Sequence, residues 1–233
     1  ARNRLQASET ALSSVDSSIV RLLELAEQGV NGTTGAAGRA MLSNEVDGIR
    51  SNLIAISNTA VEGKFLFAGT RTQTQPFSGP PAGPVLYAGD ANSIQVDVSI
   101  GVPITVNLTG SQVFYGTGGQ GSSTDVFQAV TDLRDGLVNN NVAQIQTAYA
   151  NLKGIQDHFS EMATLIGGRQ ASLDQLESNL EEFTLSLKAI QGSYEDLDYP
   201  AAITEFVKLE NVQQASLSTL GRMSRQSLFD YLS

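Results

Sequence analysis

Apolar side chains recur along this chain at alternating steps of three and four, the signature of helices that pack through one stripe. Leu173, Leu176, Leu180, Phe183, Leu187, Ile190 and Tyr194 form one such row near the C-terminal end. Leu5, Ser8, Leu12, Val15, Ile19, Leu22 and Ala26 form another at the start, with Ser8 as its one polar member. The glycines at 29, 32, 35 and 38 break that helix. A second row follows at Leu42, Val46, Ile49, Leu53, Ile56 and Ala60, out of phase with the first, so an α-hairpin is expected. A further row, Val126, Val130, Leu133 and Leu137, ends at the asparagines 139–141. After them Ile145, Ala148, Leu152, Ile155, Phe159, Met162 and Ile166 keep the phase through Arg169 to Leu173. One unbroken helix from about Val142 to Tyr194 is therefore expected, on the order of 80 Å long at 1.5 Å per residue.

Between these rows the pattern changes. Pro76, Pro80, Pro81 and Pro84 exclude helix over that stretch. Ile94, Val96, Val98 and Ile100, then Val102, Ile104, Val106 and Leu108, alternate with period two, which predicts half-buried strands bending near Gly101. Gly116 to Ser123 reads as a flexible exit. Asp196, Asp198 and Pro200 interrupt the long helix. The last segment is amphipathic again, with Ile203, Phe206, Leu217 and Leu220 on one side, and closes on Leu228, Phe229, Tyr231 and Leu232. The expected fold class is mainly α with a β insert, an elongated coiled-coil-like helical rod plus a small antiparallel β domain. Its expected parts are a discontinuous rod over 1–63 and 122–195, a β-rich insert over 64–121, and a C-terminal assembly helix over 196–233. Leu217, Leu220, Leu228, Phe229, Tyr231 and Leu232 are the candidate interface, because an apolar tail of this kind needs a partner surface.

Charge and chemistry narrow the function. Fourteen basic against 24 acidic residues give a net charge of −10, without the basic cluster that nucleic acid or an anionic membrane requires. There is no cysteine, hence neither a disulfide nor a thiolate site. No apolar run nears the ~20 residues of a membrane span. The sequence starts at Ala1 inside a helical pattern, which suggests a fragment or processed form. His158, the single histidine, lacks the further ligands of a metal site and reads as a solvated helix-face residue. The glycine tract 116–121 lacks the Gly-Lys-Ser/Thr ending of a phosphate loop. Asp90 beside Gly89 lacks further carboxylates at calcium-loop spacing, so turn chemistry accounts for it. Asp174, Glu177, Glu181 and Glu182 read as a solvated face. No catalytic constellation and no cofactor site are expected.

Several short tracts carry a resemblance to a known family. Asn58 to Thr70, followed by Pro76-Phe77, then Tyr87 to Asp90, Asn107 to Gly110, Ile166 to Arg169, and the ending Ser227 to Leu232 occur in the order found in the flagellin superfamily. The ending is similar to that of the members that join hook to filament. The resemblance implies an axial structural protein of the bacterial flagellum, exported through the flagellar channel to the cell exterior and assembled as a ring of identical subunits. Implied partners are its own copies, a neighbouring hook-associated protein, flagellin and an export chaperone. A filament subunit is the nearest alternative; an adhesive module carried by the β insert ranks lower.

Overall fold

The computed structural model describes residues 2–80, 83–99, 102–195 and 199–229. Helix α1 (Arg2–Val30) and α2 (Ala36–Ser57) form the expected hairpin, and α3 (Val126–Val138) precedes α4 (Val142–Glu195), a single helix of 54 residues. Helix α5 (Tyr199–Phe229) completes the chain. Pro200 stands in the first turn of α5, where its missing N–H has no intrahelical partner to lose. Two compact units are present, Ala1–Glu177 and Ser178–Ser233.

The first unit is built on the rows read from the sequence. All seven positions of the α1 row are buried, and so are all seven from Ile145 to Ile166 on α4. Ser8 is accommodated because its hydroxyl donates to the Arg4 carbonyl at 2.9 Å. Pairs between α1 and α4 run in opposite senses: Tyr149 to Glu27, Gln170 to Glu9, and Arg2 to Asp174 and Glu177. The two helices are therefore antiparallel. Of the four carboxylates read as solvated, Asp174 and Glu177 are thus ion-paired, though still largely exposed.

On α2 the expected row is displaced. The buried line is Arg39, Ser43, Val46, Arg50, Leu53 and Ser57, sharing only Val46 and Leu53 with the apolar reading. Its polar members bond chiefly to main-chain carbonyls. The Arg39 Nε donates to the Gly29 carbonyl at 2.7 Å, and its other nitrogens reach the Asn31 carbonyl and the Asn140 side chain. Arg50 donates to the carbonyls of Pro80 at 3.2 Å and Gly83 at 2.5 Å. Ser43 and Ser57 bond back to Ala40 and Ile54. Buried guanidinium groups are tolerable only when so paired.

Among the described residues, three two-stranded antiparallel ribbons shape the insert: β1 (Ala60–Val61) with β2 (Lys64–Phe65), β3 (Phe77–Ser78) with β4 (Leu86–Tyr87), and β5 (Gln95–Ser99) with β6 (Val102–Thr105). The last is the hairpin that alternation predicted, pairing Val96 with Ile104; the turn at 100–101 lies outside the described residues. It is less buried than expected, with Val96 39% exposed, and burial begins only at Val106 and Leu108. A π-helical turn, Ser111–Tyr115, then leads toward α3.

The compact units do not part at the boundaries expected near 64 and 121. Phe67 and Phe77 of the insert and Phe114 of the π-helical turn meet Phe127 of α3 and Phe159 of α4 in one cluster. Ring centroids lie 5.2 Å apart for Phe67–Phe114, 5.1 Å for Phe77–Phe114, 5.7 Å for Phe114–Phe127 and 5.9 Å for Phe114–Phe159. The prolines and glycines that mark a change of secondary structure mark no change of core.

Candidate assembly surface

Two features stand out once the core is accounted for: a network where the short sequence tracts converge, and apolar rows left exposed among the described residues. The network begins at Asn58, whose side chain imitates a strand neighbour. Its Oδ1 accepts from the Phe77 N–H at 2.9 Å and its Nδ2 donates to the Phe77 carbonyl at 2.8 Å. The Tyr87 hydroxyl lies 2.8 Å from the Phe67 carbonyl and 2.9 Å from that of Asp90, and accepts from the Gly110 N–H at 3.2 Å. Burial pushes this phenol up to about 12. Asn107 holds the base of the β5–β6 hairpin, accepting from the Ile94 N–H at 2.7 Å and donating to the Asn92 carbonyl at 3.1 Å. Its own carbonyl accepts from Arg169 of α4 at 2.7 Å. Arg4 of α1 adds donations to the carbonyls of Phe65 and Leu66, both at 2.9 Å. Tracts far apart in sequence thus form one joint between insert and helices.

Asp90 closes that joint. It accepts from the Thr70 hydroxyl at 2.5 Å, from the Thr70 N–H at 2.9 Å and from the Asn92 N–H at 3.0 Å. These bonds, the Thr70 hydroxyl first, hold its carboxyl down at about 2, against an ordinary 3.8. Gly69, at φ +67°, leaves the space this needs, since a Cβ there would strike Asp90. The Asp90 carboxylate thus does the work of a turn, tying Thr70 to Asn92. A carboxylate depressed in the folded state stabilises it fully above the unfolded pKa, and that contribution is lost as pH falls through the folded value. The joint is therefore expected to loosen between about pH 4 and pH 2. Asp90→Asn should weaken the joint at neutral pH and flatten this acid dependence. The near-ultraviolet circular dichroism of the tyrosines, followed against pH, checks both.

The remaining polar candidates carry little. His158 is not merely solvated: its Nε2 lies 2.9 Å from the Gln112 carbonyl, tying α4 to the π-helical turn. Asp125 caps α3, accepting from the N–H groups of Phe127 and Gln128, and its second oxygen accepts from Gly121 at 2.8 Å. The glycine tract is therefore fastened at its end. Burial raises the Asp125 carboxyl. Among the described residues no three His, Cys, Asp or Glu side chains converge as a metal site, and no helix is long and apolar enough to cross a membrane.

The second unit is where the apolar reading meets solvent. Leu180, Phe183, Leu187 and Ile190, expected to be a packed seam, are 50%, 62%, 49% and 50% exposed. The expected packed seam is therefore not seen: among the described residues nothing covers these positions. On α5 the candidates Leu217 and Leu220 are exposed in the same way. Leu228 and Phe229 fall in the last helical turn, where only the backbone is described, and Tyr231 and Leu232 lie outside the described residues. Periodicity alone missed Leu185, Leu209 and Val212, which are equally exposed but lie off the 3–4 row. A helix apolar on several faces is one surrounded by partners.

The bacterial flagellin N-terminal helical region matches residues 1–72, and the bacterial flagellin C-terminal helical region matches residues 151–232. Together they take in about two thirds of the chain. The flagellar hook-associated protein 3 of Salmonella typhimurium (strain LT2) is 26% identical over 248 residues, covering 98% of this chain and 77% of that protein. Among solved structures, the flagellar hook-associated protein 3 of Legionella pneumophila superposes with a TM-score of 0.72 at 16% identity, over 84% of this chain and 93% of that one. FlgL of Xanthomonas campestris gives 0.71 at 18% identity, over 82% and 94%. At such identities the two structures establish the shared fold.

Proposed function

We propose, for a chain that belongs to the flagellin superfamily, the role of a junction subunit: a structural component of the bacterial flagellum that joins hook-side to filament-side lattices. The observation that carries this reading is the alignment of 98% of this chain with 77% of a hook-associated protein, combined with a helical unit whose apolar rows are left exposed among the described residues. Rows of this kind suit a lattice in which each subunit is packed by several neighbours. In this reading the partners are copies of the same chain in a ring, a neighbouring hook-associated protein, flagellin, and an export chaperone that holds the C-terminal segment beforehand. The protein acts outside the cell and carries no reaction of its own. Helix α5, with its row at Leu217 and Leu220, gains its packing on assembly, an instance of folding coupled to binding.

Deleting the gene in a motile host tests this. Cells should keep hooks, lose filaments and release flagellin monomers into the medium, and the parent gene should restore swimming. Leu180→Asp should melt like the parent as a monomer, because the position is half exposed, yet fail to restore filaments. Filaments persisting in the deletion strain would end the junction reading. Subunits present in isolated flagella at the abundance of flagellin would instead make the protein a filament subunit.

A further inference from the structure

The turn between α1 and α2 is built around the one Asn-Gly pair in the sequence, Asn31-Gly32. Both residues are exposed. The Asn31 side-chain carbonyl is held by two donors at once, the Thr33 N–H at 3.1 Å and the Thr33 hydroxyl at 3.0 Å. The Asn31 main-chain carbonyl accepts from the Thr34 N–H at 3.0 Å, which closes the turn, while the Thr34 hydroxyl anchors it to the Gln28 carbonyl at 2.8 Å. Among the described residues no acceptor takes the Gly32 N–H. A Cβ built on Gly32 would meet nothing within 4 Å, so open space lies on that side of the turn.

We propose that this turn is a self-modification site at which Asn31 is converted to aspartate and isoaspartate, with Thr33 as the positioning residue. The Gly32 nitrogen attacks the Asn31 Cγ, so that a new N–C bond forms and negative charge develops on Oδ1. The two Thr33 donors already face that oxygen, as donors do in an oxyanion hole. The proton lost by the Gly32 nitrogen passes through water to Nδ2. The Cγ–Nδ2 bond then breaks and ammonia leaves. Water opens the resulting succinimide at either carbonyl, giving aspartate or isoaspartate; no oxidant or reductant is involved.

The turn also determines what the product does. A carboxylate at 31 follows the C-terminus of α1, the negative end of that helix, where an anion is disfavoured. It also stands beside Arg39, which already bonds the carbonyls of Gly29 and Asn31. The isoaspartyl form inserts a methylene into the main chain of the turn. Both products alter a hinge at which the parent residue 31 carries no charge.

Ageing the purified chain at mildly alkaline pH, with peptide mass spectrometry for the exchange of NH2 for OH and enzymatic methylation for isoaspartate, tests the proposal. Asn31 should convert at least about tenfold faster than Asn92, which is also exposed but precedes serine. Thr33→Val, which removes one of the two donors, should slow it about fivefold. Gly32→Ala should slow it further, and both variants should melt like the parent. The folded chain should convert no more slowly than the same chain unfolded in guanidinium. An unchanged rate in Thr33→Val, or a folded chain slower than the unfolded one, would show that the turn protects Asn31 and would overturn the proposal.

Discussion

Phe114→Ala is expected to lower the stability of the first unit by about 3–5 kcal/mol, the range for emptying a fully buried aromatic site. Phe114 has no exposed surface and touches Phe67, Phe77, Phe127 and Phe159. Those neighbours come from the insert and from two helices, so no single element can shift to refill the space. Stability of a domain this size is on the order of 5–15 kcal/mol, which makes the loss a large fraction of the whole. The midpoint of denaturant unfolding measures it, read against an unchanged slope. A loss under about 1 kcal/mol would mean that the rings are not mutually packed.

Replacing residues 71–110 by a short Gly/Ser linker is expected to abolish cooperative unfolding of the first unit. The replacement removes Phe77, Val85 and Leu108, buried in the cluster shared with the helices, together with the buried Val106. At roughly 1.5–3 kcal/mol for each buried side chain, their summed contribution rivals the net stability. Arg50 would lose its carbonyl partners at Pro80 and Gly83, and Arg169 its partner at Asn107. A buried guanidinium left so is a further penalty. Thermal melts followed at the helical band check this. A sharp transition retained by the replaced chain would mean that the insert folds on its own, as the composition boundary suggested.

What could be read from the sequence followed from where apolar residues alone decide burial. The row on α1 and the Ile145–Ile166 row on α4 were legible position by position because every residue on them but Ser8 is apolar. Helix α2 was not, because Arg39, Ser43, Arg50 and Ser57 occupy its deepest line and a hydropathy reading assigns such residues to solvent. The insert was legible as strands, since alternation and prolines are local signals. Its membership of the common core was not, because the contacts of Phe77 with Phe127, or of Asn107 with Arg169, span long stretches of sequence. The row from Leu180 to Ile190 read as a packed seam and is exposed, because periodicity carries no information on what, if anything, covers a stripe. The convergence of the tracts 58–70, 76–77, 87–90, 107–110 and 166–169 into one joint was equally hidden. Their order in the sequence gives no hint that Asn58 and Phe77 share paired hydrogen bonds.

The partly buried arginines have a consequence for how freely this sequence can drift. Arg4, Arg39, Arg50 and Arg169 hold the surrounding loops chiefly through main-chain carbonyls, at residues 29, 31, 65, 66, 80, 83 and 107. Every residue type presents the same carbonyl, so a mutation in a clasped loop leaves the clasp intact as long as the backbone keeps its path. The loops can therefore diverge while the helices that clasp them stay put, which offers a physical reason for a fold that persists at 16–18% identity. The clasps themselves rest on a handful of guanidinium groups, for which lysine, with its single ammonium, is no substitute.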